Sequence, residues 1–323
     1  MHRAILLFTA AFTLYAQPED RLIFHGKPGP GSGKRIVLIS GDDEYRSEQA
    51  LPQLARILSE RNGFETTVLF SIDPATGLIA PDKHENIPGL ETVDSADLVV
   101  LLIRFRDLPD AQMKHLVDYI EAGKPIVALR TSTHAFDIKT SPTYKRWTWN
   151  SKEWDGGFGR QVLGETWIDH HGKHKVQSTR GIFVPGQERH PILRGIASGD
   201  IWVPTDVYRV RLPQAEGIQP LLLGAVLESM DPASAPVKGT QNEPMMPVAW
   251  TKSYRGGRVF ATTMGSAQDL LNEPFRRLIV NACYWAAGLE TPSKVDVRIV
   301  GEYAPLPFGF GGFQKGLKVS DLR

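Results

Sequence analysis

The chain of 323 residues contains a single cysteine, Cys283. One thiol cannot close an internal disulfide or build a multi-cysteine zinc site. Its setting, RRLIVNACYWAAG, repeats apolar residues at helical spacing and places it in the core. Charge of one sign is also lacking, since 37 Lys and Arg face 36 Asp and Glu for a formal net charge of +1. The signs are interspersed without a basic block, which argues against nucleic acid or an anionic membrane as partner. A small neutral ligand fits better. No apolar stretch marks a transmembrane segment. The one at the N-terminus, in MHRAILLFTAAFTLYAQPEDR, runs for about a dozen residues, too short to span a bilayer. Its basic start, apolar run and small Ala16 read as a secretory signal over residues 1–16, which predicts a periplasmic or secreted protein beginning near Gln17. No cysteine near the cleavage point offers a lipid attachment site.

With 41% hydrophobic residues the remainder can bury a substantial core. A Gly/Pro-rich linker is expected over 17–34, an α/β domain over 35–290 and an irregular, aromatic and glycine-rich strap over 291–323. Short apolar runs, RIVLIS (35–40), TTVLF (66–70), DLVVLLI (97–103) and IVALR (126–130), read as strands. Between them lie amphipathic segments. One carries Leu51, Leu54 and Leu58 on one helical face; the next carries Met113, Leu116, Val117 and Ile120, with Gly123 as its stop. Late in the chain GRVFATT (257–263) and NEPFRRLIVNACYWAAG repeat the strand and helix pattern. This alternation predicts a doubly wound, mostly parallel α/β sheet with insertions. Residues 137–250, rich in Trp, Gly, His and Pro, are read as insertions and β-rich excursions over one sheet edge.

In open α/β sheets, ligands bind beyond the carboxyl ends of the strands. The first strand runs into Asp42, Asp43, Glu44, Tyr45 and Arg46. DLVVLLI delivers Arg104 and Arg106, and IVALR delivers Thr131, Ser132, Thr133 and His134. The late strand delivers Thr263, Gly265, Ser266 and Asp269. His134, placed opposite the acidic loop, is expected to be held in its protonated form and to titrate near neutrality. No glycine flanks the hydroxyls of LRTSTHAF, so a nucleophile elbow is not indicated, and no G-x-G-x-x-G follows the first strand, so nicotinamide chemistry does not fit.

The stretch ETWIDHHGKHK sets His170, His171 and His174 within five positions. Adjacent histidines on a strand face opposite ways, Gly172 argues against a helix that would align His170 with His174, and H-E-x-x-H is missing. A weak mononuclear metal at most is expected, and a hydrogen-bonding or acid/base role for at least one histidine. Trp147, Trp149, Trp154 and Trp167 in the same region suit sugars, whose C–H faces stack on aromatic rings.

GDDEYRSEQALPQLARIL, RFRDLP, GKPIVALRTSTHAF, GRQVLGETWIDHHGKH, HPILRGI, PTDVYR and PVAWTKSYRGGRVFATTMG together resemble the ThuA-like, trehalose-utilisation family over roughly residues 34–290. The resemblance implies the flavodoxin-like fold of class I glutamine amidotransferases, without their cysteine, and carbohydrate catabolism on disaccharides or their keto forms. Many members have histidine where this chain has Arg130, and Gly-His where it has Gly265 and Ser266, so no role is carried over from those histidines.

The expectation is thus an exported carbohydrate-processing protein in which His134, Asp43 and Glu44 do acid/base work. Asp42, Tyr45, Arg46, Arg104, Arg106, Thr131, Trp167, His170, His171, Asp206, Tyr208 and Gly265 are expected to bind substrate. No cofactor and no resident metal are expected; a small-molecule carbohydrate is the partner, with a sugar oxidoreductase or a second copy as protein partners. The alternatives are a non-catalytic carbohydrate-binding module with the same pocket, and a metal-assisted hydrolase.

Overall fold

The computed structural model describes residues 19–212 and 214–323, so the secretory signal expected over 1–16 lies outside the described residues. The strands are β1 (Arg21–Phe24), β2 (Arg35–Gly41), β3 (Glu65–Phe70), β4 (Leu98–Ile103), β5 (Ile126–Leu129), β6 (Thr179–Phe183), β7 (Trp202–Val203), β8 (Gln219–Val226), β9 (Met246–Tyr254) and β10 (Gly257–Thr262). The α-helices are α1 (Ser47–Arg56), α2 (Asp110–Glu121) and α3 (Glu273–Ala286). All ten strands join one sheet in the order β1-β3-β2-β4-β5-β10-β9-β8-β6-β7.

β3, β2, β4, β5 and β10 run parallel and form the centre. In chain order these five read 2-1-3-4-5, the flavodoxin-like plan, whose ligand crevice lies at the switch point between the first and third strands. Here that point lies between β2 and β4. All six residues of β4 are buried, as are all of β2 except Arg35, which is why both read as continuous apolar runs. α1 packs on β2 and β3, and α3 on β5 and β10. Tyr45, Leu51, Leu54, Cys283 and Tyr284 are among the fully buried side chains.

Two segments differ from the sequence reading. Residues 21–24, within the stretch read as linker, pair antiparallel with β3. A four-residue edge strand is too short to show a period. The middle region adds β9, β8, β6 and β7 to the same sheet as an antiparallel continuation beyond β10, instead of lying over its edge. Burial on both faces of β8 and β9 rewards this extension.

Candidate functional site

The chain leaves β2 through Asp42, which is fully buried. Its carboxylate accepts from the amides of Glu44 at 2.7 Å and Tyr45 at 2.6 Å, and from the Thr131 hydroxyl. Burial raises the Asp42 carboxyl, partly offset by the Thr131 bond. Asp42 and Thr131, both buried, therefore form a strut between the loops after β2 and β5. The strut aims Asp43 at Arg104, 2.9 Å away.

Arg130, at the end of β5, is fully buried with φ 39°. It donates to the Asp206 carboxylate at 2.9 Å, to the carbonyls of Asp206 and Thr263, and to the Tyr45 hydroxyl at 3.0 Å. Its guanidinium carbon lies 4.2 Å from the Tyr45 ring and 4.1 Å from the Tyr208 ring.

Asp206 is the hub of the site. Its second oxygen binds His170 Nδ1 at 2.7 Å, and its first also meets His174 Nδ1 at 3.1 Å. Burial alone would raise the Asp206 carboxyl; Arg130, His170 and His174 reverse this and hold it well below the usual carboxylate range. His174 Nε2 lies 3.1 Å from Glu44, and its two carboxylate partners, Asp206 foremost, push the imidazole up to about 9. At neutral pH His174 is an imidazolium. His170 Nε2 has no hydrogen-bond partner among the described residues, while its Nδ1 meets Asp206.

The two histidines converge through a loop. His170 bridges to Tyr208, and the amides of His171 and Gly172 both donate to the Val207 carbonyl. A Cβ at Gly172 would sit 3.2 Å from that of Asp206, so glycine permits the close approach. The turn at Lys173–Gln177 then brings His174 back beside His170, their ring centroids 4.8 Å apart. No helix runs through Gly172, as the sequence reading held; the two rings meet instead through pairing with residues 206–209.

His134 differs most from expectation. It is buried, and burial, then Arg104, Arg130 and His170, hold its imidazole well below its ordinary value. The charged neighbours acting on it are cationic, so it is neutral and not the protonated acid predicted. Its ring lies 5.0 Å from Phe105 and 5.3 Å from Trp167, centroid to centroid, and Trp167 touches His170 in turn. It forms part of an aromatic wall.

Four further residues named from sequence stand apart. Arg106 is buried and bonded to Ser71 and to the carbonyls of Arg104, Lys83 and Pro81. Arg46 holds the carbonyls of Pro307 and Gly309. His171 Nε2 meets the Gln241 carbonyl at 2.9 Å. Gly265, at φ 140°, is a turn whose amide donates to Asp269, and a Cβ there would fall 2.8 Å from that of Leu129.

The reading from sequence left out Arg130, His174 and the strap's Phe308 and Phe310 as site residues. Phe308 packs on Tyr45 and His174 at 5.5 and 5.6 Å. Backbone strain marks the same place: of the positive-φ residues other than glycine among the described residues, Arg46, Phe105, Arg130 and Lys175 all lie in these loops, and only Arg255 lies elsewhere. Donor atoms of His170, His174 and Asp206 fall within 4.8 Å of one another, a set that can hold a metal ion. His170 Nδ1, His174 Nδ1 and both Asp206 oxygens are engaged with one another and with Arg130, so a metal at those atoms would have to displace these bonds.

A protein-family model described as trehalose utilisation, ThuA, matches residues 35–286. Among solved structures, a ThuA-like protein of Parabacteroides merdae is 15% identical with a TM-score of 0.49, covering 80% of this chain and 92% of its own. One from Bacteroides uniformis is 13% identical with a TM-score of 0.49, covering 81% and 94%. No curated protein sequence matches.

Proposed function

Starting from a chain that belongs to the ThuA, trehalose-utilisation, family, we propose an exported carbohydrate-processing enzyme that acts on a disaccharide or keto-glycoside by acid/base chemistry. The observation that carries the reading is the Glu44–His174–Asp206–His170 chain at the carboxyl ends of the strands, walled by Trp167, Tyr208 and Phe308. It sets the His174 imidazolium beside the His170 ring, their centroids 4.8 Å apart, which brings two groups able to carry protons to one place. Asp206 orients His170 so that Nε2 is the base, and Arg130 keeps Asp206 ionised as that role demands. His174, cationic below about pH 9, is the acid, with Glu44 as its second carboxylate. Aromatic faces with few polar groups suit a ring rich in C–H and hydroxyls. Export rests on the order of residues 1–16, and the mass of the natively produced protein should place its N-terminus near Gln17.

The test is a screen of disaccharides and their 3-keto derivatives with wild type and His170→Ala. The variant should lose about a hundredfold or more in turnover while still folding. Sugar binding by calorimetry without product over days would replace the enzyme by a binding module. The three donor atoms within 4.8 Å favour metal-assisted hydrolysis as the second reading. Elemental analysis after dialysis decides it: clearly substoichiometric zinc, iron and manganese support direct acid/base work, and a tightly held full equivalent supports the metal.

A further inference from the structure

The strap after residue 300 is built onto the site. The Gly309 amide donates to the Glu44 carbonyl at 2.7 Å, Gln49 accepts from the Leu306 amide, and Gln268 accepts from the Phe308 amide. Arg46 grips the carbonyls on either side of Phe308. A Cβ at Gly309, at φ 142°, would collide with the Lys175 side chain, so the strap also meets the histidine loop. It therefore joins the acidic loop to the histidine loop.

This fixed backbone presents one unusual side chain. Phe310 is 62% exposed, yet its ring lies 4.7 Å from the Arg104 guanidinium carbon. Phe105 lies 4.5 Å from the same carbon. Arg104 thus contacts two aromatic rings while bonded to Asp43, and its Nε is buried without a hydrogen-bond partner among the described residues. An aromatic ring held in place at a site's rim, beside an unsatisfied donor, matches how proteins hold sugars: a ring face for the C–H surface and a fork for the hydroxyls.

The geometry points to Phe310 as the stacking wall for a sugar ring whose hydroxyls Arg104 receives. The assignment deepens the carbohydrate reading and rests on it. It makes the strap part of the specificity of the site, although this segment lies beyond the family-matched residues.

Calorimetric titration of the full chain with the same disaccharide and keto-sugar panel tests it. Phe310→Ala should weaken binding about three- to tenfold with an unchanged melting temperature, the range expected for one lost stacking contact. Phe310→Leu, which keeps an apolar cover over Arg104 but no ring face, should lose the same affinity, and Phe310→Trp should retain it. Wild-type affinity in both Phe310→Ala and Phe310→Leu overturns the stacking wall and leaves the carbohydrate reading standing. No binding of any panel member to wild type overturns that reading and the stacking wall together.

Discussion

Glu48 lies in the first turn of α1, beneath the strap, beside a crevice of about 280 Å³ that it shares with Gln49, Tyr303 and Pro305. Its side chain is buried and neither carboxyl oxygen has a hydrogen-bond partner among the described residues. Burial pushes the carboxyl up to about 7 from 4.5; its own amide and Arg46 pull it down, and Asp42 pushes it further up. The native state thus keeps a proton that the unfolded chain releases near pH 4.5. Stability is fully present below that value, falls as pH rises towards about 7, and levels off above. Linkage over this interval gives a cost of under about 1 kcal/mol at pH 5 and about 3 kcal/mol at pH 8, an upper bound if water reaches the ion. Glu48→Gln keeps the shape and removes the titration. Urea unfolding of both proteins should show near-equal stability at pH 5 and a gain of about 2–3 kcal/mol for the variant at pH 8. Comparing them at one pH cancels His174, which is common to both. A difference of the same size at both pH values would refute the argument.

Arg130→Met should destabilise the fold by about 3–5 kcal/mol, because it leaves Asp206 buried without its guanidinium, and chemical unfolding will measure this. Turnover that needs His174 as an acid should fall as pH rises through about 9, whereas a pH profile flat to above 10 would remove His174 from that role. The bonds that raise His174 also add stability that is present below its ordinary value of 6.5 and lost through about 9, so Glu44→Gln should flatten this alkaline part of the stability curve.

The parallel centre of the sheet was legible because burial on both faces demands near-continuous apolar runs, and β2, β4 and β5 have them. The strand-end rule then named loops that the fold does bring together, with Asp43 bonded to Arg104, Glu44 to His174, and Trp167 beside His170. Roles within those loops were harder to read. Asp42 and Asp43 are neighbours, yet one is a buried strut and the other faces Arg104, a division set by the amides that Asp42 caps. The sign of the His134 shift depends on which charges surround it, and those come from Arg104, Arg130 and His170 on separate segments.

The meeting of His170 with His174 could not be read from their own stretch, because it follows from pairing with residues 206–209, more than thirty positions on. The local rule about glycine correctly excluded a helix, but only long-range backbone partners decide where the two rings go. The strap shows the same limit from the other side. GEYAPLPFGFGGFQKG has no period, since its backbone bonds go to the Gln49 and Gln268 side chains and the Glu44 carbonyl instead of to a ladder. Aperiodic sequence signals only that a segment's partners lie elsewhere. When those partners are the loops at a strand-end crevice, the aromatic residues of that segment become candidates for the site, which is the ground on which Phe310 stands.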